Sequence, residues 1–126
     1  MEYRFVNAIP TVDQHGSLAV AVGWADSFRW EAMPASLAGS VCGVVAFAET
    51  GEAVAMGRVV GDGAFYFYVQ DVAVHPDHRR RGLGTEVMRR LREQIASGPG
   101  ATAAWGCSRR PRRSRSTGPR GSAWRQ

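Results

Sequence analysis

The stretch "QDVAVHPDHRRRGLGTEVM", residues 70–88, constrains the fold more tightly than any other part of the chain. It follows from "AFYFYVQDVAVH", a run rich in aromatic and β-branched residues, which suits a half-buried pleated surface and predicts a long strand. Pro76 ends that strand, because proline has no N–H to give to a sheet ladder. From Gly82 to about Ser97 the apolar residues Leu83, Val87, Met88, Leu91 and Ile95 recur at helical spacing with charges between them. Strand, basic glycine turn and helix together make an anion site. The first N–H groups of a helix have no intrahelical partner and point out of its positive end. Gly82 and Gly84 let a phosphate approach the backbone, while Arg79, Arg80 and Arg81 raise the local potential. The plain alternative is a solvated basic helix start with no ligand. Two nucleotide loops are excluded. A Walker loop needs a lysine, and the chain has none. A dinucleotide fingerprint needs a third glycine where Val87 stands.

Upstream, "YRFVNA" alternates and predicts a first strand. Pro10 and Thr11 open a helical stretch through "VDQHGSLAVAVGW", which Gly16 weakens. In "SFRWEAMPASLAGS", Pro34 fits the first turn of a short helix and Gly39 its end. "VCGVVAFAE" and "EAVAMGRVVG" read as strands joined at "TG", and Asp62-Gly63 signals a second hairpin. The order is strand, two helices, three-stranded meander, loop, helix. That predicts an α+β fold with a mixed, mostly antiparallel sheet flanked by helices.

Charge divides the 126 residues into two parts. Before Gly100 stand nine arginines and eleven acidic residues, a net −2; after it stand seven arginines and no acid, +7. A nucleic-acid reading therefore rests on the tail alone. Cys42 and Cys107 fit no metal spacing, and His15, His75 and His78 read as surface or loop histidines, so no metal is expected. No apolar run reaches the ~18 residues of a membrane helix, and "MEYRFVNAIP" lacks the regions of a signal peptide. The expectation is a cytoplasmic protein with no membrane partner.

The run Arg79-Arg80-Arg81-Gly82-Leu83-Gly84, preceded by "DVAVHPDH", resembles the hallmark Gln/Arg-x-x-Gly-x-Gly/Ala of the GNAT superfamily of acyl-CoA N-acyltransferases. The resemblance spans about Tyr3 to Ser97 in element order and is most specific over residues 70–88. It implies an acetyl-CoA-dependent N-acetyltransferase domain over residues 1–100. Backbone amides from Arg80 to Thr85, Leu83 among them, would cradle the pyrophosphate. Val72, Ala73 and Val74 would offer backbone groups to the pantetheine arm as if to an added strand. Arginines Arg79, Arg80 and Arg81 would attract the 3′-phosphate. "VGWADSFRWEA" with "MGRVVGDG" looks like a small bacterial branch near arylalkylamine acetyltransferases.

Acetyl transfer to a primary amine of a small molecule needs a neutral amine, a polarised thioester carbonyl and a proton donor for the leaving thiolate. No Ser-His-Asp or Cys-His set is visible, which suits direct attack. By the two-residue period Tyr68 and Gln70 share one face of the fourth strand, and Asp71 takes the other. The family resemblance puts the face of Tyr68 and Gln70 near the acyl group; both equally suit ordinary strand positions. Trp24, Phe28 and Trp30 fit the walls of an amine pocket, with Glu31 attracting a cation, and their spacing also fits core aromatics.

Residues 101–126, "ATAAWGCSRRPRRSRSTGPRGSAWRQ", have no apolar period, and their Arg, Ser, Gly and Pro content predicts disorder. Read one base out of frame, Ser114–Thr117 can encode Val-Pro-Phe-Tyr and Gly121-Ser122 can encode Gly-Phe. These are the Phe-Tyr and Gly-Phe that the family carries after its fifth strand. The tail thus reads as a frameshifted C-terminus, with the final strands missing or replaced. That leaves activity impaired, since the tyrosine of Phe-Tyr is commonly the acid that protonates the thiolate. Two rival readings are a nucleic-acid-binding protein using the arginine-rich tail and an inactive CoA-binding remnant. An uncovered fourth strand further suggests a homodimer.

Overall fold

The structure, a computed structural model, describes residues 2–97, so the expectations for residues 101–126 lie outside the described residues. In chain order the elements are β1 (Arg4–Val6), α1 (Val12–Val22), α2 (Met33–Ala38), β2 (Cys42–Phe47), β3 (Ala53–Gly61), β4 (Phe67–Val74) and α3 (Leu83–Ser97). Single 3-10 turns lie at Ala25–Ser27, Trp30–Ala32 and Pro76–His78. The strands form one sheet in the order β1-β2-β3-β4, and every neighbouring pair is antiparallel. The expected α+β architecture of a sheet flanked by helices is the one found.

Local chemistry sets the ends of these elements. Thr11 caps α1 reciprocally. Its hydroxyl accepts from the Gln14 N–H at 3.1 Å, and the Gln14 side chain accepts from the Thr11 N–H at 2.9 Å. Gly23, at φ 85°, closes the helix in the left-handed conformation. Gly16 does not break α1; a methyl group there would sit at an ordinary 3.9 Å from the Trp30 ring. The fourth strand starts at Phe67, three residues later than its composition suggests. The Asp62 carboxylate accepts N–H bonds from Ala64, Phe65 and Tyr66 at 2.8, 2.9 and 2.9 Å, which curls that segment into a turn.

Helix α3 lies on one face of the sheet, and α1 lies on the other. Leu83, Val87 and Leu91, one turn apart, are buried with Val44, Ala46, Val54, Ala55 and Val59. Each buried leucine or valine among them contributes about 1.5–3 kcal/mol. Leu18 packs against Met56 and Ala73 on the opposite face. Gly57 lets α3 approach closely: a methyl group there would lie 2.8 Å from Val87 Cγ1 and 3.1 Å from Leu91 Cδ1. Gly57→Val is therefore expected to cost about 1–3 kcal/mol by overpacking. Urea unfolding would measure it, and an unchanged midpoint would refute the close packing.

Candidate functional site

Strand β4 departs from a regular ladder at its centre. Val59 faces Val69 and Arg58 faces Gln70, but Met56 faces Ala73, so Asp71 and Val72 together oppose Gly57. That is a β-bulge, with one extra residue on β4. Asp71 sits at φ 57°, a left-handed conformation rare for a residue with a side chain. The consequence corrects the simple alternation. Asp71 turns onto the same face as Arg58 and its cross-strand partner Gln70, whereas Val72 takes the α3 side, with its Cγ2 3.3 Å from the methyl position of Gly57.

On that face the buried His15 and Arg58 converge on the largely buried Asp71. His15 Nε2 lies 3.0 Å from Asp71 Oδ2, and Arg58 Nε donates to the same oxygen at 2.8 Å. Arg58 also donates to the Ser36 carbonyl at 2.9 Å, the Ser40 hydroxyl at 3.0 Å and the Ser36 hydroxyl at 3.0 Å. His15 is fully buried in α1, which overturns its reading as a surface or loop residue. Its ring packs edge-on against Phe28 and Trp30, at centroid distances of 5.1 and 5.7 Å. Burial alone would raise the Asp71 carboxyl, but hydrogen bonds from His15 and Arg58, with the Arg58 charge, hold it below the usual carboxylate range. The ionised carboxylate can only accept, so His15 Nε2 carries the proton and the buried Nδ1 is left without a partner.

This pKa shift gives stability a sign with pH. The folded-state value lies below the unfolded value of about 3.9, so the stabilisation is complete above that pH and is lost as pH falls through the folded value. Asp71→Asn is expected to flatten the fall in stability below about pH 4. Urea midpoints taken down the acid range would measure it; parallel curves for both proteins would refute the linkage.

The backbone of β4 has an open edge opposite β3 among the described residues. His75 N–H donates to the Val54 carbonyl at 2.8 Å, so alternation turns the Ala73 backbone toward β3 and the backbones of Val72 and Val74 toward the open edge. Tyr68 is exposed on this strand, and Gln70 is half-buried beside Arg58.

Beyond β4 the chain makes the Pro76–His78 turn, pinned to the residue just before β1 by a 2.8 Å hydrogen bond between the Tyr3 hydroxyl and His78 Nδ1. Arg80 at φ 66° and Gly82 at φ 79° are both left-handed, and alternate left-handed residues curl successive N–H groups into an anion-binding concavity. Nothing lies within 4 Å of a methyl position on Gly82, whereas one on Gly84 would sit 3.6 Å from Val74 Cγ2. Gly82 supplies a backbone conformation, whereas Gly84 lies beside the end of β4 with ordinary room for a methyl group. Arg79, Arg80 and Arg81 are exposed, as is Thr85, and Leu83 is buried in the core. One turn on, Arg89 and Arg90 hydrogen-bond Glu86 and hold its carboxyl down to about 2.

The aromatic group expected to wall an acceptor pocket divides in two. Trp24 packs with Leu18, Met56 and Ala73. Phe28 and Trp30 pack on each other at 5.4 Å, and the Trp30 indole donates to the Ala25 carbonyl at 2.8 Å. Of the group, Phe28 alone lines an open cleft of about 280 Å³, with Met33, Ser36, Arg29 and the buried Arg58 around it. Glu31 is exposed and does not line it. The sequence reading missed His15 and Arg58. A usable signal was the arginine in the apolar strand "AVAMGRVVG", because a charge in a core strand calls for a buried partner. Among the described residues no cluster of three metal-ligating side chains forms, and no helix is long and apolar enough to cross a membrane.

Residues 11–114 match the acetyltransferase (GNAT) family. Among solved structures, an acetyltransferase of the GNAT family from Streptococcus pneumoniae superposes with a TM-score of 0.66 at 24% identity, over 77% of this chain and 70% of its own. A tandem GNAT protein from the clavulanic acid biosynthesis pathway superposes with a TM-score of 0.60 at 28% identity, over 75% of this chain and 33% of its own. A protein from Staphylococcus aureus described as a probable acetyltransferase gives 0.67 at 24%, over 75% and 69%. No curated protein matches the chain.

Proposed function

The chain belongs to the GNAT acetyltransferase family, and on that premise we propose that it transfers the acetyl group of acetyl-CoA to a primary amine of a small molecule by direct attack. The observation that carries the reading is the pairing of a left-handed basic loop with a bulged strand whose open edge leads into it. The loop amides from Arg80 to Thr85 hold the pyrophosphate, with Arg79, Arg80 and Arg81 supplying positive potential. The backbones of Val72 and Val74 pair with the pantetheine arm. At the bulge the Val72 N–H is directed at the thioester carbonyl and stabilises the oxyanion that forms there. The neutral amine attacks the carbonyl carbon, the C–N bond forms, the C–S bond breaks, and the amine proton passes to water. Gln70 and Tyr68 position water or acceptor, and Gln70, an amide, is not the base. The cleft beside Phe28 takes the acceptor's apolar part.

The leaving thiolate takes its proton from solvent in this chain, since residues 101–126 read as a shifted frame that lacks the family's tyrosine acid. Turnover is therefore slow. Calorimetry with CoA and release of thiol from acetyl-CoA in the presence of arylalkyl amines would test the reading. Binding of CoA with slow, amine-dependent thiol release is expected. Absence of any CoA binding would overturn it.

A further inference from the structure

We propose that His15 and Arg58 are positioning residues: by holding Asp71 in its left-handed conformation they decide which backbone groups of β4 face its open edge. The consequence for acetyl transfer rests on the acetyl-CoA reading above; the control of the bulge does not.

Two frames meet in β4. Val41 N–H donates to the Val59 carbonyl, so the Val59 backbone faces β2, and its partner Val69 on β4 faces the open edge. Continued without interruption, that frame would turn Asp71 and Ala73 outward. The bulge exchanges them for Val72 and Val74. A single residue therefore selects the groups presented to anything that lies along the edge.

At φ 57° a residue with a side chain is in general strained by about 1–2 kcal/mol, and aspartate bears it better than most because its short polar side chain can find a hydrogen bond. What offsets the strain is the carboxylate's position between His15 and Arg58, both buried and both bonded to Oδ2. In the unbulged frame that side chain would point at α3, where Val87 and Leu91 pack and offer no polar partner. A buried charged cluster is not needed for stability, because apolar replacements of such clusters are often as stable. Strain held by surrounding contacts is, in contrast, a recurrent device at functional sites.

The test removes the cluster and varies only residue 71. In the background His15→Phe with Arg58→Met, Asp71→Gly supplies a residue that adopts positive φ freely, and Asp71→Ala one that does not. Carbon-13 shifts at residue 71 are expected to stay left-handed in the glycine variant and to become extended in the alanine variant. Acetyl-CoA turnover should be at least about tenfold lower in the second variant than in the first, the two sharing the same altered cleft. Binding of 3′-phosphoadenosine 5′-diphosphate, which reaches only the loop, should be equal in both; a merely structural role would weaken it together with turnover. Left-handed shifts in the alanine variant would overturn the proposal, as would equal turnover in the two variants. If the parent binds no CoA and turns nothing over, the acetyl-CoA reading fails, and the carbon shifts alone still decide whether the cluster holds the bulge.

Discussion

Arg58→Ala is expected to destabilise the protein by about 3–5 kcal/mol, the largest effect of any single substitution on this face. The side chain is 8% exposed, and its guanidinium makes four hydrogen bonds that join β3 to β4, the Ser36 carbonyl and hydroxyl of α2, and Ser40. Removing it leaves the largely buried Asp71 carboxylate with His15 as its remaining partner, and takes one of two donors from the Ser36 carbonyl, which keeps the Gly39 N–H at 3.2 Å. Arg58→Lys should recover only part of the loss, because an ammonium has no planar fork to reach Asp71 and both serines together. Chemical unfolding of the three proteins at neutral pH measures this. A loss under about 1 kcal/mol for Arg58→Ala would mean that the buried charge is relieved by solvent rather than by its partners.

Gly82→Val is expected to abolish CoA binding while leaving the melting temperature within a few degrees. At φ 79° a β-branched residue is strongly disfavoured, so the loop must leave its conformation and the concavity of N–H groups opens. The helix itself should survive. Leu83, Val87 and Leu91 anchor α3 in the core, and the methyl position on Gly82 meets nothing within 4 Å. Calorimetric titration with CoA, alongside thermal melts, separates the two effects. Retained affinity would show that the loop conformation is dispensable for the anion. Gly84→Ala offers the contrast: its added methyl meets Val74 at an ordinary 3.6 Å and is expected to spare binding.

The sequence by itself determined the element order and the place of the basic loop, because both follow from interactions between near neighbours. Proline ends β4, the Thr11–Gln14 cap starts α1, and the period of Leu83, Val87 and Leu91 defines α3. The local turn at Asp62 shortened β4 for an equally local reason, a side chain that satisfies three backbone N–H groups. Only the tertiary structure decided the centre of β4. A two-residue period assigns Asp71 to the face away from Gln70, yet one extra residue reverses the face and the hydrogen-bonding edge of everything after it. The partners that hold this reversal lie far off in the chain, His15 being 56 residues from Asp71. Nothing in the local pattern around Asp71 or His15 reports that they meet. The same holds for Gly57, whose need for a bare Cα arises from α3 packing against it. Local interactions carry the order of elements; a long-range buried charge pairing carries the register on which the candidate site depends.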